Sequence, residues 1–133
     1  MKAVACAVLV AMFLPASNVF TQAPAASRCF ELRTYTVPEG KFDALHRRFQ
    51  DHAIRLFKKH GIDVVGFWTP TDRPNTLMYM LAHPTCDAAA RHWKEFFDDP
   101  EWISARDASE RNGTLVSKVE KVFMTPTPYS PLK

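Results

Sequence analysis

From Cys29 to Val37 (CFELRTYTV) polar and apolar positions alternate, with Glu31, Arg33 and Tyr35 on one side and Phe30, Leu32 and Thr34 on the other. This period of two predicts a strand, stopped by Pro38 and Gly40. From Lys41 the period changes: Phe42, Leu45, Phe49, Ala53 and Leu56 recur at threes and fours, with His46, Arg47, Arg48, Asp51, Arg55 and Lys58 mostly opposite. The spacing predicts one amphipathic helix of about five turns, closed at Gly61 after the basic turn Lys58-Lys59-His60. Asp63 to Thr69 reads as a second strand and Thr76 to His83 as a third, separated by the turn-forming PTDRPN. Thr85 then caps a helix whose stripe is Cys86, Ala89, Trp93, Phe96 and Phe97. Asp99-Pro100 breaks it and starts another, with Trp102 and Ile103 inward and Asn112-Gly113 as the stop. Thr114 to Met124 reads as the last strand, and the Pro-rich tail Thr125 to Lys133 is expected to run extended over the surface.

The order β-α-β-β-α(α)-β matches an α+β, ferredoxin-like split-βαβ arrangement: an antiparallel four-stranded sheet in the order 4-1-3-2, with its helices on one face. The opposite face ought to be polar if it meets water. It is not, because the third strand sets Leu77, Tyr79 and Leu81 against Met78, Met80 and Ala82, and the second sets Val65 and Phe67 against Val64 and Trp68. A second copy of the chain is the economical cover for such a face, so a homodimer is expected.

Composition narrows the class. Behind the single charge Lys2, Ala3 to Leu14 is apolar, and small residues follow at Ala23-Pro24-Ala25. That layout is a secretory signal peptide over residues 1–25, with the folding domain at 26–133 and an exported, periplasmic or secreted, destination. The run falls short of the roughly 20 residues a bilayer span needs, so no span is expected in the mature form. Lys and Arg number 17 against 14 acids, for a formal charge of +3, and they are interleaved, which excludes a nucleic-acid footprint. Cys29 and Cys86 remain after the leader, too far apart for a zinc site. In the 4-1-3-2 sheet the start of the first strand lies beside the end of the third, so a Cys29–Cys86 disulfide is within reach in an oxidising compartment. The alternative is that Cys86 faces inward with Ala89 and Trp93 as a core thiol.

Candidate chemistry is sparse. The five histidines include no i, i+4 pair, and no metal site is expected; His60, at a helix end beside the second strand, is the best candidate among them. Ser104, Ser109 and Ser117 lack a nucleophile-elbow setting, and the four glycines are isolated, so no phosphate loop and no cofactor site emerge. Glu31, Arg33 and Tyr35 share one face of a central strand, where charge is costly unless paired. Either a Glu31–Arg33 network fixes the register of the dimer, or the three line a cavity with Arg33 on an anionic group and Tyr35 as a donor. Trp68, Tyr79 and Trp93 are candidate walls for such a cavity, or plain core.

The segments FELRTYTVPEGKFDAL, KKHG followed by VGFW, YMLAHPTCDAAARHW, DDPEW and PTPYSPL, in this order from Phe30 to Leu132, resemble the NIPSNAP family. The resemblance implies a dimeric α+β barrel in which two ferredoxin-like sheets close on each other. The wider superfamily includes cofactor-free and haem-binding oxygenases, whereas NIPSNAP members look like binding or interaction modules. The expectation is therefore a ligand- or partner-binding module for a small apolar or aromatic ligand. A small cofactor-free or haem-dependent oxygenase using the helix-to-sheet pocket is the alternative, since fold alone does not decide function.

Overall fold

The computed structural model describes residues 28–133, so the leader expected over residues 1–25 lies outside the described residues. Along the chain run β1 (Cys29–Thr36), α1 (Phe42–Arg48), a π-helical segment (Phe49–Ala53), α2 (Ile54–Lys59), β2 (Asp63–Trp68), β3 (Thr76–His83), α3 (Cys86–Asp98), α4 (Pro100–Ser109) and β4 (Lys118–Met124). The strands form one antiparallel sheet in the order β2-β3-β1-β4. Helices pack on one side of it, and Leu45, Phe49, Leu56, Phe57, Trp93, Phe96 and Trp102 meet Leu77, Tyr79 and Leu81 in a single core. The fold is α+β and ferredoxin-like.

Local chemistry explains the boundaries. The Thr85 hydroxyl accepts from the Ala88 amide at 3.1 Å and opens α3. Asp99 ends α3 and caps α4 by accepting from the Glu101 amide at 2.8 Å, with Pro100 where a missing N–H costs nothing. Gly61 takes φ 72° to turn the chain out of α2, and its bare Cα leaves room for the His92 ring, which a Cβ would meet at 3.2 Å.

Four expectations are corrected. The long first helix is not uniformly α: the π-helical segment interrupts it between α1 and α2. In β2 a bulge between Val64 and Gly66 slips the alternation by one residue, so Val64 and Phe67 both pack on the helix-side core. Ile103 is exposed, and Ala105 with Trp102 makes the inner face of α4. The last strand begins at Lys118 because Leu115 turns down into the core and Ser117 is already bonded to the Thr36 carbonyl.

The helix-free face is formed by Phe30, Leu32, Met78, Met80, Trp68 and Val122, by alternation from the paired strands. The Trp68 indole lies across Gly66, where a Cβ would come within 2.7 Å of the ring, and it is 50% exposed. The tail does more than trail over the surface. Thr125, Pro126, Thr127, Ser130 and Leu132 border a 250 Å³ groove with Phe30, Met80 and Met124, which puts the tail over one end of this face. Among the described residues no helix is long and apolar enough to cross a membrane.

A disulfide joins Cys29 to Cys86 with Cα atoms 5.0 Å apart. Cys29 stands opposite His83 in the β1–β3 pairing, and Cys86 is the first residue of α3. The bond therefore ties the start of α3 to the first strand of the sheet, 57 residues earlier in the chain. Cys86 is exposed rather than turned inward with Ala89 and Trp93.

Candidate functional site

Glu31 points under the helices from the middle of the sheet and is 0% exposed. An ionised carboxylate in such a place must be surrounded by donors. Arg33 Nη1 donates to Oε1 at 2.8 Å, the Trp93 indole N–H donates to Oε2 at 2.7 Å, and His83 Nε2 donates to Oε2 at 3.0 Å. Burial pushes the Glu31 carboxyl up, but the bonds from His83 and Trp93 and the charge of Arg33 outweigh it and hold the group below its ordinary 4.5. The network joins β1, β3 and α3. It faces the helices, not the sheet face open to a second copy, so it holds layers of one chain together and does not set the register of a dimer.

Arg33 continues the cluster. Its guanidinium sits 4.2 Å from the Trp93 ring centroid and 5.6 Å from that of Tyr35, a cation over two aromatic faces. The Tyr79 hydroxyl donates to the Tyr35 hydroxyl at 2.7 Å, and the two rings meet edge to face at 5.2 Å. Burial, and next the neighbouring Tyr35, push the Tyr79 phenol well above its ordinary value, which keeps its donor proton in place. Because Tyr35 accepts this bond, its own O–H proton remains to be given elsewhere.

Beside Tyr35 lies a cavity of about 100 Å³ between helices and sheet. Phe49, Phe57, Trp93, Phe96 and Trp102 wall it, Arg48 closes one part, and the exposed Phe97 and Val119 stand at its rim. The rim is open because helices do not cover β4, whose residues are exposed from Lys118 to Phe123. An engineered cavity of about 150 Å³ holds a benzene molecule, so this smaller space encloses only part of one ring, with the remainder reaching out through the rim.

Of the residues singled out from sequence, Glu31, Arg33, Tyr35, Tyr79 and Trp93 come together here. His60 and Trp68 do not. His60 and Lys59 instead bind the Asp99 carboxylate, each at 2.7 Å, and these bonds lower the Asp99 carboxyl below its usual range. Trp68 is on the opposite sheet face. Sequence reasoning missed His83, read as a strand-end residue, and Arg48, placed on the solvent side of its helix. Arg48 is 7% exposed and bonds to Ser109 and Glu110. Its spacing of three from Leu45, on the apolar stripe, was the available signal. His92 packs 5.8 Å from His83, and burial, then the nearby His83 and Arg91, lower its pKa. Among the described residues no three His, Cys, Asp or Glu side chains are placed to hold a metal ion.

The family profile described as NIPSNAP matches residues 30–131. A NIPSNAP family protein of unknown function from Agrobacterium tumefaciens is 27% identical, with a TM-score of 0.70 over 81% of this chain and 96% of that one. An uncharacterized NIPSNAP-like domain protein from Burkholderia xenovorans is 16% identical, with a TM-score of 0.69 over 80% of this chain and 90% of that one. A variant of SnoaB, a cofactor-independent oxygenase from Streptomyces nogalater, is 17% identical, with a TM-score of 0.57 over 80% of this chain and 99% of that one. No curated protein matches the chain by sequence.

Two outcomes are expected of the buried network. Arg33→Ala strands the Glu31 carboxylate without its cation and costs about 3–5 kcal/mol in urea unfolding, far above the ~0–1 of an exposed pair; an unchanged midpoint would refute the burial. Because the folded Glu31 pKa lies below 4.5, its contribution is complete above that value and is lost as pH falls through the folded value. Glu31→Gln should accordingly flatten the decline of stability on acidification, and a slope equal to that of the wild type would dismiss the assignment.

Proposed function

This chain belongs to the NIPSNAP family, and we propose that it works as a binding module for a small apolar or aromatic ligand held between its helices and its sheet. The observation that carries this reading is the aromatic cavity of about 100 Å³ with the free Tyr35 hydroxyl on its wall and an open rim at Phe97 and Val119. Apolar walls supply affinity by removing ligand surface from water, and a few fixed donors orient it. The Glu31 network holds Trp93 in place, so the space stays open without a ligand.

Saturation-transfer NMR with toluene and phenol tests the reading. Dissociation constants in the range of about 10 μM to 10 mM are expected for molecules of this size. Ala53→Leu, which fills the cavity from the helix side, should abolish the transfer. If the wild-type protein transfers saturation to neither probe, the module reading is wrong. Oxygen consumption with phenol present would favour a cofactor-free oxygenase in the same cavity, the activity printed for the SnoaB neighbour.

The reading includes a homodimer and export. Exposed Trp68 and Val122, with Met78 and Met80 between them, give the helix-free face an apolar surface that the tail covers only at one end, which supports closure by a second copy. Light scattering should give twice the chain mass, and Trp68→Glu with Val122→Glu should halve it; a wild-type monomer at micromolar concentration removes the dimer. The apolar run behind Lys2 and the Cys29–Cys86 disulfide support delivery to an oxidising compartment.

A further inference from the structure

Among the described residues the cavity wall carries three side chains with a polar group to offer, and all three offer a hydrogen. Tyr35 has its O–H proton free because its oxygen already accepts from Tyr79. The Trp102 indole N–H is buried with no acceptor, although Trp102 is only 8% exposed. Arg48 makes both of its hydrogen bonds through Nη1, to Ser109 at 3.3 Å and Glu110 at 2.8 Å, so among the described residues its Nη2 and Nε edge takes no protein partner. The Arg48 guanidinium also lies over the Trp102 ring, 5.3 Å from its centroid, which keeps the cation close to the unpaired indole. The fourth polar group, the Trp93 N–H, is consumed by Glu31. Among the described residues no carboxylate lines the cavity.

A buried donor without an acceptor is costly, and a guanidinium with an open edge matches the two oxygens of a carboxylate. We propose that the cavity selects a single-ring aromatic carboxylate, with its ring among Phe49, Phe57 and Phe96 and its carboxylate on Arg48 and Trp102. This rests on the ligand-binding reading above and adds the charge of the ligand and the residues that read it. Glu110 is the competitor. Its side chain is 29% exposed against 6% for Arg48, so it has water to turn toward when a ligand anion takes its place. Arg33 cannot play this part as readily, because its charge is already matched by Glu31 at 2.8 Å.

Isothermal titration with benzoate, toluene and benzylamine distinguishes the possibilities. Benzoate should bind about tenfold or more tightly than toluene, in keeping with a charge-assisted hydrogen bond, and benzylamine should not bind. Arg48→Met should erase the preference for benzoate while toluene binding persists, which also shows that the variant is folded. Trp102→Phe, keeping a ring but losing the N–H, should reduce the ratio of benzoate to toluene affinity severalfold. Glu110→Gln should tighten benzoate by removing its competitor. Toluene bound as well as benzoate, or a preference unaltered in Arg48→Met, overturns the charge assignment and leaves the ligand reading standing. If none of the three binds, both fall.

Discussion

One buried negative charge organises this domain. Taking a carboxylate out of water costs several kcal/mol unless donors replace the lost hydration, and Glu31 receives them from its strand neighbour Arg33, from His83 at the end of β3 and from Trp93 on α3. Each donor comes from a different direction, so satisfying the charge fixes the height of α3 above the sheet. The consequence reaches the cavity. Trp93 is held by its N–H at one edge and faced by the Arg33 guanidinium, which stops its ring from collapsing into the space it borders. The Cys29–Cys86 disulfide adds a covalent tether at the N-terminal end of the same helix.

Much of this was legible in the order of residues. Strand periodicity, the Thr85 and Asp99 caps and the Pro and Gly punctuation are local signals, and they place the elements and the sheet order. That Glu31, Arg33 and Tyr35 share a face also follows from alternation alone. What alternation cannot say is which face. The side was decided by Trp93 and His83, whose hydrogen bonds to Glu31 span 62 and 52 residues of chain. Similarly, the β2 bulge has no mark except Gly66, and a glycine in a strand signals a close approach without saying by what; here it is the Trp68 ring. Ile103, expected inward, is exposed and Ala105 is buried instead, because a short helix beside a larger one is oriented by the partner it packs on, not by its own weak pattern.

The two buried arginines show how context divides identical side chains. Arg33 lies within the sheet layer, and its charge is tied to a carboxylate that no water reaches. Arg48 sits at the helix seam, against a glutamate that solvent does reach. A guanidinium in the first setting is a fixed part of the framework. In the second it can exchange one anion for another at little cost, since the displaced partner is rehydrated.

The π-helical segment at Phe49–Ala53 has a consequence for helical phase. At about 100° per residue, the nine steps from Arg48 to Phe57 would set the two on opposite sides of an uninterrupted α-helix. Both nevertheless line the same cavity, because the wider turn between them delays the rotation. A related chain one residue shorter between these positions would wind as an ordinary helix, whose eight steps of about 100° leave the two only about 80° apart and on the same cavity; winding the present length as a regular helix would instead turn the cation away from it. The wider turn thus absorbs one extra residue without changing which side chains this architecture presents to what it encloses.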